Sequence, residues 1–181
     1  VAPVFIFVAG RAPHRRLLLG SGIGPHQRPL TIVVRIAAYQ ATDAHELVRM
    51  WRASFEHGVG ITDPNPIEDQ FQFFVRDVVP RNTVRVVRDQ GAIVAFLASK
   101  PESISHLYVG VHHLGRGIGT ELLSLAKAES PGSLWLYTFA QNRNARRFYE
   151  RHGFEEVERE CENMFKLEAI KYAWLRGASA A

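Results

Sequence analysis

The sequence predicts a mixed α/β domain in which strands and helices alternate, and three observations carry that prediction. The first is residues 104–121. Residues 104–111 are apolar and rich in β-branched and aromatic side chains, the composition of a buried strand. Gly115, Gly117 and Gly119 then fall at alternate positions, and Ile118, Leu122, Leu125 and Ala126 repeat at helical spacing. The second is a hairpin: residues 83–88 and 92–99 read as strands around Asp89-Gln90-Gly91, where the glycine supplies positive φ. The third is a strand over residues 134–139 followed by a helix over 142–152, which Gly153 closes as a left-handed cap.

The remaining elements follow in order. Residues 1–30 differ from the rest: an apolar run over 1–8 precedes Arg11, His14, Arg15 and Arg16. A secretory signal places its charges before its apolar core, and a run this short cannot span a bilayer. Gly20, Gly22 and Gly24 imitate a phosphate loop, but no strand leads into them and Pro25 ends them, so a flexible extension is expected. Residues 31–38 read as a strand with Ile32, Val34 and Ile36 alternating. Thr42 or Asp43 can cap a helix reaching about His57, with Leu47, Met50, Trp51 and Phe55 on one face. After the break at Asp63-Pro64-Asn65-Pro66, a second helix over 67–79 turns Phe71, Phe74, Val75 and Val78 inward. Residues 154–160 and 164–174 close the chain as strands. The expected boundaries are an extension over 1–30, one domain over 31–176 and a tail over 177–181.

Bulk properties narrow the function. The chain has 181 residues, 46% hydrophobic and 22% charged, which suits one globular domain with a real core. Its formal charge of +4 suits an anionic cofactor or plain solubility. Nucleic-acid binding would need a basic face with interleaved aromatics; Arg143, Arg146, Arg147 and Arg151 cluster within one helix, and no such face can be traced. Neither a nucleic-acid nor a membrane partner is expected. The single Cys161 cannot form an internal disulfide, which fits a reducing cytoplasm. Glu160 and Glu162 flank it and disfavour its thiolate, so it reads as structural.

The glycine turn has a direct physical meaning. A helix start exposes amides that lack intrahelical partners, and its dipole favours an anion there. Glycines let a phosphate reach those amides, and Arg116 adds charge. A P-loop needs a Lys where Thr120-Glu121 stands, and a dinucleotide fingerprint needs two residues between Gly117 and Gly119, where only Ile118 lies. Leu-Gly-Arg-Gly-Ile-Gly-Thr over 114–120 resembles instead the pyrophosphate loop of the GCN5-related N-acetyltransferases (GNAT), with one departure: Leu114 stands where that family has Gln or Arg. Residues 134–154 are similar to the second acetyl-CoA motif of the same family, Asn-x-x-Ala-x-x-Phe-Tyr-Glu-x-x-Gly-Phe. Asn142, Ala145, Phe148, Tyr149, Glu150, Gly153 and Phe154 match in order and spacing. Each also has a plainer reading: Asn142 as a helix cap, Tyr149 as a tyrosine at the core edge, His106 as packing. His112 and His113, being adjacent, point apart and make a poor metal pair. The two motifs in the right order outweigh those readings, and the resemblance covers residues 31–174.

The resemblance implies a GNAT fold: a central, mostly antiparallel sheet of six to seven strands flanked by about four helices. It implies acetyl-CoA as cosubstrate and no metal. The cofactor would lie against Val109, Gly110 and Val111 at the end of one strand, against the loop Leu114, Gly115, Arg116, Gly117, Ile118, Gly119 and Thr120, and against Asn142, Ala145 and Tyr149. Its pantetheine would occupy a gap between the strand ending near Val111 and the strand over 134–139. The Val109 backbone N–H would stabilise the oxyanion and the Tyr149 hydroxyl would protonate the departing thiolate, as a primary amine attacks directly. Candidates for a base are Glu102, His106 and His112; Tyr137 stands where some members have Glu. The acceptor, a small molecule or a peptide, would meet walls carrying Trp51, Phe55, His57, Asp69, Phe73 and Trp174. A non-catalytic acetyl-CoA-binding domain of the same fold is the alternative, and a homodimer stays open.

Overall fold

The structure, a computed structural model, describes residues 35–160 and 163–177. The extension over 1–30, the first half of the strand over 31–38, Cys161 and most of the tail lie outside the described residues. The elements run β1 (Ile36–Ala38), α1 (Ala44–Val59), α2 (Ile67–Phe73), α3 (Val79–Arg81), β2 (Thr83–Asp89), β3 (Ala92–Lys100), β4 (Ser103–Val109), α4 (Ile118–Glu129), β5 (Ser133–Phe139), α5 (Arg143–Arg151), β6 (Glu155–Glu160) and β7 (Ala169–Leu175). They form one seven-stranded sheet in the order β1-β2-β3-β4-β5-β7-β6. All neighbours are antiparallel except β4 and β5.

Each face of the sheet carries its own core. On one, α1 and the helix after it bury Leu47, Val48, Trp51, Phe55, Phe74 and Val78 against Phe96, Tyr108 and Phe139. On the other, α4 and α5 bury Ile118, Leu122, Ala126, Ala145, Phe148 and Tyr149 against Leu107, Val109, Leu134, Leu136 and Tyr172. Alternation along β4 sends His106 and Tyr108 to the first face and Leu107 and Val109 to the second.

Several expectations are corrected. The second helix is not uniform: residues Phe74–Val78 widen into a π-turn between α2 and α3. Pro80 explains it, since its ring would crowd the carbonyl one turn back in a regular helix. Asp43 does not cap α1; its carboxylate accepts the Gln40 amide at 2.9 Å and pairs with Arg88, and a 3-10 turn over Ala41–Asp43 leads into the helix. The last strand begins at Ala169, five residues later than expected. Before it, the Asn163 amide accepts from Phe165 N and Leu167 N and donates to the Leu167 carbonyl at 2.6 Å, holding a turn that competes with a ladder. Finally, β4 stops at Val109, and Val111–His113 form one 3-10 turn, so Val111 belongs to a turn rather than a strand.

Candidate active site

The site begins where β4 leaves β5. These strands pair at a single register position, Ser103 with Trp135, supported by Trp135 N–H donating to the Glu102 carbonyl at 3.0 Å. The register with β3 then slips, leaving Ser105 as an extra residue, and the Ser105 hydroxyl is held by Asn82 Oδ1 at 2.6 Å. A bulge bends a strand and sharpens its twist, and this one lies two residues beyond the last contact with β5. From there the strands splay.

The splay frees backbone donors on β4. Gly110 N–H points to β3, donating to the Val94 carbonyl at 2.7 Å. By alternation, Val109 turns its N–H and C=O away from β3. Its carbonyl accepts the Ser54 hydroxyl at 3.1 Å, and its N–H is left facing the gap. Gly110 suits its closeness to β3, because a Cβ there would lie a tight 3.3 Å from the Val94 oxygen.

Below the gap, the loop presents backbone rather than side chains. Gly115 and Gly117 have φ of 73° and 84°, which glycine adopts without strain. Gly117 caps α4 with no side-chain bond, and the first helical bond of that turn is Glu121 N–H to the Gly117 carbonyl at 3.1 Å. The amides of Ile118, Gly119 and Thr120 therefore have no intrahelical partner, the arrangement by which a helix start can accept an anion. Arg116 beside them is exposed. Leu114 packs against the core instead of reaching the loop. Thr120 also links the two motif helices: His152 Nδ1 donates to the Phe148 carbonyl at 2.7 Å, which leaves Nε2 to accept from the Thr120 hydroxyl at 3.3 Å.

Above the gap, β5 and α5 contribute buried side chains. Asn142 caps α5 through Oδ1, which accepts Ala145 N–H at 3.0 Å, while its Nδ2 is buried without a partner. The cap and a ligand role are thus compatible, one per amide atom. Tyr149 is fully buried among Phe148, Phe154 and Tyr172, and its hydroxyl also has no partner. Burial, with a smaller effect from Tyr108, pushes its pKa well above the usual phenol range. Glu150 accepts the Tyr172 hydroxyl at 2.9 Å and Arg146 donates to that same oxygen at 3.2 Å, tying α5 to β7.

One further residue went unread in the sequence. Thr138 is fully buried, and its hydroxyl has no hydrogen-bond partner among the described residues. It shares the strand face of Leu134 and Leu136, so a polar residue at the third inward position of an alternating strand was the available signal.

Other candidates fall away from the gap. Glu102 is at the closed end of β4, on the order of 20 Å along the strand from Val109. His106 is buried with its ring 4.7 Å from Trp51, and burial lowers its pKa to about 3. It stays neutral on the face opposite Val109. His112 is exposed, and His113 turns instead to Asp89 at 3.4 Å. Trp51 and Phe55 are core residues, with Phe73 half exposed beside Trp51; His57 and Asp69 are exposed. Trp174 lies under Lys127 and against Phe154 on the α4 side, so it is no acceptor wall on the α1 side. No group of three His, Cys, Asp or Glu among the described residues could hold a metal, and no helix there is long and apolar enough to cross a membrane.

Residues 80–156 match the acetyltransferase (GNAT) domain family. Over that span the chain is similar to the GNAT acetyltransferases. The matched span contains β4, the glycine loop and the Asn142–Phe154 motif, and GNAT enzymes as a family use acetyl-CoA for acetyl transfer. Solved structures agree on the fold. Apo YjaB from Escherichia coli is 20% identical, with a TM-score of 0.67 over 81% of this chain and 100% of that one. A GCN5-related N-acetyltransferase from Rhodopseudomonas palustris is 20% identical, with a TM-score of 0.64 over 82% and 99%. Ribosomal-protein-alanine N-acetyltransferase from Brucella melitensis is 19% identical, with a TM-score of 0.59 over 78% and 99%. No curated protein matches the chain.

Proposed function

We propose that this chain is a GNAT-type N-acetyltransferase that moves an acetyl group from acetyl-CoA directly to a primary amine. The observation that carries the reading is the splay of β4 from β5, beside which Asn142 Nδ2 and the Tyr149 hydroxyl are buried without partners and toward which alternation turns the Val109 N–H. Leaving a buried polar group unpaired costs about 1–3 kcal/mol. Such atoms, collected at one gap above an unpaired helix start, fit a ligand with an anionic end and a polar arm.

The proposed cofactor residues are the sequence-based set. Ile118, Gly119 and Thr120 offer amides to the pyrophosphate, with Gly115 and Gly117 shaping the loop, Arg116 adding charge and Leu114 packing beneath. Gly110 and Val111 line the turn out of β4, Ala145 keeps the floor of α5 low, and Asn142 donates to the pantetheine. Acetyl-CoA, when bound, supplies the thioester. The Val109 N–H is the donor for the carbonyl oxygen on which charge builds. Tyr149 donates to the sulfur. Its raised pKa keeps it protonated through neutral and mildly alkaline pH. Because an ordinary thiol has a pKa of about 8.5, full proton transfer from this phenol to sulfur is uphill, and a hydrogen bond to the departing sulfur is the larger part of its role. Across the whole reaction an N–C bond forms, a C–S bond breaks, and one proton passes from nitrogen to sulfur.

The alternative, a domain that binds acetyl-CoA without turnover, draws on one observation: Glu102 and His106 are both removed from the open end. Thiol release from acetyl-CoA across a panel of amines and N-terminal peptides separates the two. Release that depends on an amine supports transfer. Tight acetyl-CoA binding with no release under any acceptor would leave the binding domain.

A further inference from the structure

We infer that the Thr138 hydroxyl is a hydrogen-bonding contact for the acyl-pantetheine arm of the cofactor, a role that rests on the acetyl-CoA reading above. Thr138 pairs with Ile170 of β7 through the backbone, so its position in the sheet is set without its side chain. Tyr137 and Phe139 on either side face the opposite surface, and Phe139 joins the aromatic core there. Thr138 therefore points to the side of α4 and α5, the side of Tyr149 and Ala145. It is fully buried and its Oγ1 has no partner. The turn after it brings Asn142 N–H to the Phe139 carbonyl at 2.9 Å, and Asn142 leaves Nδ2 unpaired. Three unpaired buried polar groups, at 138, 142 and 149, thus come from one strand–turn–helix segment and one side of the sheet. Packing alone does not account for a hydroxyl at 138, since valine has the same shape and no unmet bond. Amides and a thioester along the arm supply carbonyl oxygens that a threonine hydroxyl can meet, whereas the adenosine bisphosphate end has its own donors at the start of α4.

The test compares Thr138→Val with Thr138→Ser in the full chain. Calorimetry measures affinity for acetyl-CoA and for adenosine 3′,5′-bisphosphate, which lacks the arm. Thermal melting measures the ligand-free protein. Valine should weaken acetyl-CoA by about threefold to tenfold, leave the bisphosphate unchanged, and raise the ligand-free Tm by about 2 °C or more. Serine should keep acetyl-CoA affinity while lowering Tm through the lost methyl. Unchanged acetyl-CoA affinity in the valine variant overturns the inference. So does equal weakening of both ligands, or a lowered Tm with affinity kept, since each makes the hydroxyl structural. If the wild-type chain itself binds no acetyl-CoA, the cofactor reading fails first and takes this inference with it.

Discussion

The glycine loop before α4 and the β5–α5 segment flank the same gap, and they equip it in opposite ways. The loop offers backbone amides that lack intrahelical partners, shaped by Gly115 and Gly117 at positive φ. The β5–α5 segment offers buried side-chain atoms, Thr138 Oγ1, Asn142 Nδ2 and the Tyr149 hydroxyl, each unpaired. A backbone site ignores side-chain identity as long as nothing blocks the approach. A buried side-chain site depends on single atoms, because each unpaired group is already costly and is relieved only by a partner of the right kind. The departure at Leu114 and the fidelity of the Asn142–Phe154 motif are what this difference leads one to expect.

The largest expected effect is on the buried side. Tyr149→Phe keeps the ring among Phe148, Phe154 and Tyr172 and removes only the oxygen. We expect kcat to fall by about 10- to 10³-fold with acetyl-CoA affinity nearly unchanged, read by steady-state kinetics with chemistry shown to be rate-limiting. Full kcat combined with lower thermal stability would make this tyrosine structural and break the contrast.

A sharper question is whether every unpaired buried polar atom belongs to the gap. His106 Nδ1 is unpaired too, but it faces Trp51, Phe96 and Tyr108 on the other side of the sheet. Its folded pKa is about 3, against about 6.5 unfolded, so the unfolded chain binds the extra proton between those values. Stability should be complete above about pH 6.5 and fall as pH drops, by about 2 kcal/mol at pH 5 from this group. Urea unfolding at pH 7 and pH 5 should show a smaller drop for His106→Phe than for wild type. Acetyl-CoA affinity should hold in that variant; its loss would place His106 at the ligand.

The loop effect is next. A side chain at Gly119, buried in the first turn of α4, should block the phosphate, and Gly119→Val should weaken acetyl-CoA by about tenfold, or roughly 1.4 kcal/mol. A folded variant with wild-type affinity in calorimetry would remove the backbone site. The smallest effect is expected at Leu114, which packs on the core. Leu114→Gln should change affinity by less than about threefold, as expected of a loop that would hold its ligand through backbone amides. A gain of tenfold would show that side chains matter there as much as at β5.

Local patterning was legible because it is written in consecutive residues. Hydrophobic period, glycines at positive φ, the Asn142 cap and the Gly153 stop placed nearly every element from α1 to β6, and two spaced motifs named the family. What depended on distant partners was not. The splay of β4 from β5 arises from a bulge whose hydroxyl is held by Asn82, some twenty residues away in sequence. The π-turn before Pro80, the late start of β7 behind the Asn163 turn, and the placement of Glu102 at the closed end all needed neighbours in space. Thr138 shows the limit most directly: the chain order says it points inward, but only the folded structure decides that its hydroxyl meets nothing there. A residue's face follows from local geometry of period two or 3.6, whereas the satisfaction of a buried polar atom is a property of everything packed around it.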